Sequence, residues 1–473
     1  MAFWNRRKPV DIAAEPDSAH RLKQTLTWPH LVAMGVGAIV GTGIYTLTGI
    51  GAGLAGPAVI LSFLLCGVIC ACAAFCYAEM ATLIPAAGSA YTYSYAVLGE
   101  LLAWIVGWSL VLEYTVAASA VAVGWSAHVA EFIQNAGWPF PAALLHGVTS
   151  GGALDLPAVV ISAAVTILLI VGTRESATVN LFLVIIKIAA LALFVVLAGL
   201  AFNPARFHPF LPYGFAAHVD ADGVKRGVLA AAALVFFAFY GFDAVSTAAE
   251  ETKKPSRDLT IGIIGSMVLC TIIYMAVAAS ALGASYFGDF SKTGAPLVYI
   301  LNSLKHGLAA QLVASAAVVA LPTVILVLMY GQSRIFFVMA RDGLLPSRLS
   351  AVHKTRGTPV LMTTLTGLVV AIMAATLKLD QIALLANAGT LCAFVAVAAS
   401  MLVLRVRDPA RPRPFRTPAP WIMGPVCIIG CLYLFFTGLP AFTQRWFLFW
   451  NAIGIIIYFA YGASRSRLAR VSG

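Results

Sequence analysis

Gly35-Val36-Gly37-Ala38-Ile39-Val40-Gly41-Thr42-Gly43-Ile44-Tyr45 decides how the rest of the chain is read. It lies inside a run too apolar for anywhere but a membrane, yet it carries four glycines in nine positions. A regular helix in lipid satisfies its own backbone, whereas a helix opened by glycines leaves N–H and C=O groups that hydrocarbon does not solvate. Such an opening has to be buried in protein or line a cavity. The stretch therefore predicts a broken membrane helix with other helices gathered around the break.

Composition agrees. With 473 residues, 61% hydrophobic, 10% charged and a mean hydropathy of +0.92, the chain is expected to be an all-α polytopic membrane protein rather than a set of soluble domains. Met1 to Gln24 is polar, with Arg6, Arg7, Lys8, Arg21 and Lys23, and has no apolar core ahead of a small-residue cleavage site. No cleaved signal is expected there, and the weaker alternative, Arg6-Arg7 as a twin-arginine signal, conflicts with a next apolar run that is a full span. The eight cysteines lie almost all in apolar runs and predict no disulfide framework. Cys66, Cys70, Cys72 and Cys76 spread over more than one helix face without a histidine, so they read as packing residues and no metal site is expected.

Apolar runs of about 20 residues count the spans. Twelve are found, at 30–54, 57–83, 100–134, 157–173, 177–201, 225–248, 259–284, 309–339, 358–377, 381–404, 420–440 and 445–463. Of the 30 basic residues, 22 fall in the loops of one side with both ends of the chain, 7 on the other, and Lys187 lies within a span. The positive-inside bias then puts both termini in the cytoplasm and the protein in the cytoplasmic membrane. The same placement accounts for the net charge of +11 without a nucleic-acid partner.

Residues 85–91 end span 2, and Thr92 to Leu98 reads as a short amphipathic helix at the cytoplasmic face. Gly294 to Lys305 reads as a short outer helix. Asp408 to Pro420 holds five prolines and three arginines and reads as a linker. The expected organisation is a cytoplasmic arm (1–27), a first five-helix repeat (28–205), a second, inverted one (206–406), the Pro/Arg-rich linker (407–419), two appended helices (420–463) and a cytoplasmic tail (464–473).

Span 6 holds Phe236-Phe237-Ala238-Phe239-Tyr240-Gly241-Phe242-Asp243, a glycine at mid-depth followed by an aspartate, five spans after span 1. Two interrupted spans at matching places in two five-helix halves point to an inverted-repeat transporter with its site between the half-helices. The alternative for each glycine run alone is close helix packing. An open half-helix N-terminus favours a carboxylate and unwound carbonyls favour an ammonium group, so a free α-amino acid is the expected ligand.

Lys187 lies about 11 residues into span 5, roughly 16 Å deep and too far from the interface to snorkel. A buried lysine costs about 2.5 to 3.5 kcal/mol on insertion scales, so it should face the bundle interior. It reads as a structural tether to carbonyls or, the favoured reading, as a proton-binding group. Glu113 is the other acid at depth, open to substrate binding, proton relay or a hydroxyl contact. Glu79 and Asp243 lie nearer helix ends and read as gating or structural. Glu250 to Asp258 reads as a solvated mixed-charge loop, with pairing to Arg341 and Asp342 as an alternative that closes the inside. The eight histidines are scattered, so no enzyme chemistry and no cofactor are expected.

On these residues the chain resembles the amino acid-polyamine-organocation transporters, and within them the cationic amino acid transporter family. The resemblance runs from Leu22 to about Arg405 and rests on Gly37 to Ile44, Pro85 to Tyr91, Gly241 to Val245, Glu250-Glu251 with Pro255 and Arg257, and Met339 to Pro346. It implies the leucine-transporter-type fold of two inverted five-helix repeats, here with two extra C-terminal helices where vertebrate members have four. It also implies that Thr42 and Gly43, in one turn with Gly41, present amides to the substrate carboxylate, and that the carbonyls of Ile39, Phe237, Ala238 and Tyr240 take the amino group. Phe237 matches the outer-gate aromatic, and Lys187 a lysine of proton-coupled members. With Glu113 as second proton-coupling candidate, the expected function is proton-coupled symport of L-amino acids by alternating access. The alternatives are an exchanger of amino acids or polyamines and, less favoured, a sensor without transport. Beyond Glu113 no acid is placed for a cationic side chain, and the apolar surroundings of span 6 favour small or medium neutral amino acids.

Overall fold

A computed structural model describes residues 6–11, 26–86, 88–135, 137–171, 177–346, 349 and 360–471. Arg174, Arg348, Lys354, Arg356 and most of the basic arm lie outside them. Among the described residues nine helices are long and apolar enough to cross a membrane, and 28–39, 156–170 and 360–376 form shorter apolar helices.

The first broken segment is α1 (Trp28–Ile39), a single turn at Thr42–Tyr45, and α2 (Leu47–Ala55). Pro29 sits in the first turn of α1, where its missing N–H leaves nothing unpaired. After it come α3 (Val59–Leu83), α4 (Ser89–Val97), α5 (Glu100–Asn135), α6 (Leu156–Val171) and α7 (Ala177–Leu200). A small antiparallel hairpin, β1 (His218–Val219) with β2 (Lys225–Arg226), precedes the second broken segment. That segment runs as α8 (Val228–Val235), a tight 3-10 stretch at Phe236–Phe239 and a turn at Ala244–Thr247. It is followed by α9 (Pro255–Ala284), α10 (Pro296–Ser303), α11 (Gly307–Arg341), α12 (Val360–Thr376), α13 (Leu379–Arg407), α14 (Pro420–Tyr433) and α15 (Ala441–Ile457).

Burial sorts the helices. Every residue of α8 is buried, whereas α14 and α15 leave Trp421, Ile422, Phe442 and Phe449 exposed on the rim. α4 departs from expectation: all nine of its residues are buried, so it is a core helix and not an amphipathic one at a surface. Pro322 inside α11 removes the N–H that would bond the Val318 carbonyl. The indole of Trp125 on α5 donates to that carbonyl instead, at 2.8 Å, and ties the two helices together.

Charges close the end of the bundle that carries the arm. Lys8 Nζ pairs with Asp342 Oδ1 at 3.2 Å, and the Tyr91 hydroxyl donates to Asp342 Oδ2 at 3.0 Å. Asp342 thus serves the arm; the pairing with the 250–258 loop read from sequence is not its arrangement. Arg6 donates to the Ala463 carbonyl at 2.7 Å and lies 3.5 Å from Glu100, which also accepts from Tyr95 and Tyr458. Glu79 is gripped in a fork by Arg405 at 2.8 and 2.6 Å, by Arg413 at 3.1 Å and by the Thr417 amide. Residues 408–419 form no helix or strand, yet buried Arg413 pins them to Glu79. At the opposite end Asp155 precedes α6, accepting from the Ser126 hydroxyl and from the Ala158 amide at 3.1 Å.

Candidate functional site: paired helix breaks

Past the Val40 cap of α1, Gly41 leads into the Thr42–Tyr45 turn in extended backbone, with φ −142° and ψ −150°. In an uninterrupted helix its amide would bond the Gly37 carbonyl. The break frees that carbonyl, and Lys187 Nζ donates to it at 2.9 Å and to Thr323 Oγ1 at 3.2 Å. Lys187 is 0% exposed, with its ammonium directed at the end of α1. The Tyr45 hydroxyl donates to the Lys187 carbonyl at 3.3 Å, so both sides of the break touch one residue of α7. Among the described residues the Thr42 and Gly43 amides donate no hydrogen bond, and Thr42 Oγ1 has no partner.

The second break faces the first. A Cβ on Gly43 would lie 2.3 Å from Ala238 Cα, and one on Gly241 would lie 2.9 Å from Ala38 Cβ. Gly241 also has φ +112°, a backbone that L side chains rarely adopt. The carbonyls released where α8 tightens are taken by Asn387 of α13, which donates to Ala233 at 2.7 Å. The Tyr274 hydroxyl, from α9, lies 2.7 Å from the Ile39 carbonyl and 2.8 Å from that of Ala238, joining the two breaks with one group. Phe237 is buried and stacks on Tyr240, their rings 4° from parallel with centroids 6.0 Å apart.

Ile39, Gly41, Thr42, Gly43, Phe237, Ala238 and Tyr240 are therefore brought together, with Lys187 behind the first break. Glu113 lies away from Thr42, though its neighbour Tyr114 packs edge-on to Tyr240 with ring centroids 6.0 Å apart. Thr42 meets Gly124 of α5, and Glu113 lies eleven residues nearer the arm end on that helix, about 16 Å along it. It is buried against α13, where Thr390 Oγ1 donates to its Oε1 at 2.8 Å. Asp243 lies at a helix end, ahead of the Ala244–Thr247 turn that follows the second break; it is 1% exposed and accepts from the Tyr114 hydroxyl at 3.0 Å. Tyr274 and Asn387 escaped the sequence reading altogether. Asn387, a lone amide in an apolar run, was the detectable signal of the two.

Two contacting breaks in buried helices, an internal lysine and acceptors held inside an apolar bundle define a multi-pass membrane transport protein. A model of the family described as amino acid permease matches residues 26–461. The chain belongs to that family, within the amino acid-polyamine-organocation superfamily. It is 42% identical to the branched-chain amino acid permease BcaP of Bacillus subtilis over 98% of both chains. It is 38% identical to the methylthioribose transporter of the same organism, over 99% of this chain and 100% of that one. A vacuolar cationic amino acid transporter 2 of Arabidopsis thaliana is 40% identical over 85% of this chain and 63% of its own length. These relatives are named as permeases and transporters, not enzymes.

Proposed function

We propose that the chain is a proton-coupled L-amino acid symporter of the cytoplasmic membrane, with twelve spans, two inverted five-helix repeats plus two helices, and both ends in the cytoplasm. The observation that carries the coupling is Lys187 Nζ on the freed Gly37 carbonyl. An ammonium there holds the end of α1 to α7; loss of its proton weakens that hold, so charge on Lys187 governs whether α1 can swing. The partnerless amides of Thr42 and Gly43 suit a substrate carboxylate, and the Ile39, Phe237, Ala238 and Tyr240 carbonyls suit its ammonium group, in exchange for the Tyr274 hydroxyl at two of them. Phe237 closes the site from outside.

Neutral, branched or medium-sized side chains fit best. Val324 lies 3.4 Å from a Cβ built on Gly41, and the relatives named for branched-chain amino acids match end to end. Uptake of leucine, arginine and methylthioribose into proteoliposomes under an imposed pH gradient tests both parts of the proposal. Accumulation that ignores the gradient and needs sodium would end the coupling claim; transport only into substrate-loaded vesicles would make the protein an exchanger.

A further inference from the structure

We propose that the cavity at the end of the bundle away from the arm is a second amino acid site, which takes an incoming substrate by its ammonium group on Glu131 before it reaches the breaks. That the ligand is an amino acid rests on the transport reading above; the cavity and the polarity of its walls do not.

The cavity lies between the last turns of α5, the α10 helix and the first turns of α11; Arg6 of the arm meets Glu100 at the other end of α5. Its volume is about 550 Å³, inside the range of about 300 to 1,000 Å³ that ligand sites occupy. The walls differ in polarity. α5 brings His128 and Glu131, which at i and i+3 share one helix face. His128 Nδ1 lies 2.8 Å from the Gly124 carbonyl, which only accepts, so Nδ1 carries the hydrogen and Nε2 of the neutral ring is an acceptor. α10 and α11 bring Asn302, Gln311 and Ser315, whose amide and hydroxyl groups donate. Phe132, Val298 and Ala314 add apolar surface to the same cavity.

Among the described residues the side chains of Glu131, Asn302, Gln311 and Ser315 make no hydrogen bond or ion pair. Glu131 is half-buried, so its carboxylate is partly drawn from water with no cation in return. A zwitterion with a neutral side chain answers all three surfaces: its ammonium meets the acceptors of α5, its carboxylate the donors of α10 and α11, and its side chain the apolar lining.

The inner end of the cavity adjoins the first break. Gly124 lies against Thr42, where an added Cβ would collide with the threonine side chain. One turn outward, His128 is 1% exposed and sets its ring edge-on to Tyr45, with centroids 6.0 Å apart and planes at 82°. The Tyr45 hydroxyl in turn donates to the Lys187 carbonyl. A ligand on Glu131 therefore finds its next acceptor, His128 Nε2, roughly 4.5 Å nearer the break along α5. The pair of rings, His128 and Tyr45, stands between the cavity and the Thr42–Tyr45 turn.

Ser315→Cys in the full chain, held in lipid nanodiscs, reports on the cavity, since none of the eight native cysteines is exposed. With Gly43→Val added to disable the breaks, labelling by a membrane-impermeant maleimide reads the cavity alone. Leucine is expected to slow the labelling, leucinamide, which keeps the ammonium group, to slow it too, and 4-methylpentanoate, which lacks that group, to leave it unchanged. Glu131→Gln should raise the leucine concentration for half protection by about tenfold to a hundredfold, the range set by a hydrogen bond to a charged group. Labelling that leucine does not slow, protection by 4-methylpentanoate equal to that by leucine, or protection undiminished in Glu131→Gln would each overturn the site. Because labelling needs no gradient, uptake that ignores the pH gradient would refute the symport reading and leave the cavity result standing.

Discussion

The two breaks open a helix by opposite means. The first, at Val40 and Gly41, is glycine-dense, and the carbonyl it frees goes to a cation, Lys187. The second uses one glycine among aromatics; the carbonyls it frees go to neutral donors, Asn387 and Tyr274, and an acid follows it. A cation lies behind one break and a buried carboxyl, Asp243, behind the other. The first break is expected to respond to removal of a positive charge, the second to removal of a hydroxyl.

The largest effect is expected where the breaks touch. Gly43→Val drives a Cβ into the Ala238 backbone and is expected to abolish stabilisation by substrate in a thermal-shift assay, with membrane insertion retained. Forced overpacking of this kind costs about 1 to 3 kcal/mol, so a variant that binds normally would mean the breaks are not the site. Lys187→Met comes next: gradient-driven uptake should drop to background, and the Gly37 carbonyl left unpaired costs roughly 1 to 3 kcal/mol, read as a lower Tm. Full activity in that variant would remove the charge from the first break. Tyr274→Phe takes the shared hydroxyl from two carbonyls and is expected to lower stability by about 1 to 2 kcal/mol. If the substrate ammonium replaces that hydroxyl, affinity changes less than stability does.

The smallest effect serves as a control away from both breaks. Burial pushes the Asp155 carboxyl up to about 6 from an ordinary value of 3.8. An acid whose pKa is raised by folding binds its proton more tightly in the native state, so its contribution to stability falls as pH rises from about 4 to 6. The slope is at most about 1 kcal/mol per pH unit, and Asp155→Asn should flatten that part of a Tm-against-pH curve. A slope unchanged in that variant would assign the acid response to another group.

Both breaks were legible because glycine in a membrane helix has a physical cost that demands a reason. Lys187 was legible because a lone charge at mid-depth does too. Asp243 was legible as the acid after the span 6 glycine, at a helix end; its burial and its bond from Tyr114 were not, since they depend on which helices pack against that end. Tyr274 gave no signal, since one of 15 tyrosines in an apolar run looks like any packing aromatic until its hydroxyl is seen between two carbonyls. The same applies to α4, whose serines, threonine and tyrosines read as a wet face and are all buried.

The lock at the arm end joins residues far apart in the order of synthesis. Arg6 reaches the carbonyl of Ala463, 457 positions later, and the Asp342 carbonyl accepts from the Arg467 amide. During synthesis the Arg6–Ala463 and Arg467–Asp342 bonds therefore form later than the Lys8–Asp342 and Glu79–Arg405 pairs of the same end. A chain stopped before Ala463 is expected to remain open to a water-soluble thiol reagent at a cysteine introduced beside Asp342, and protection there would show that the lock closes without its last piece.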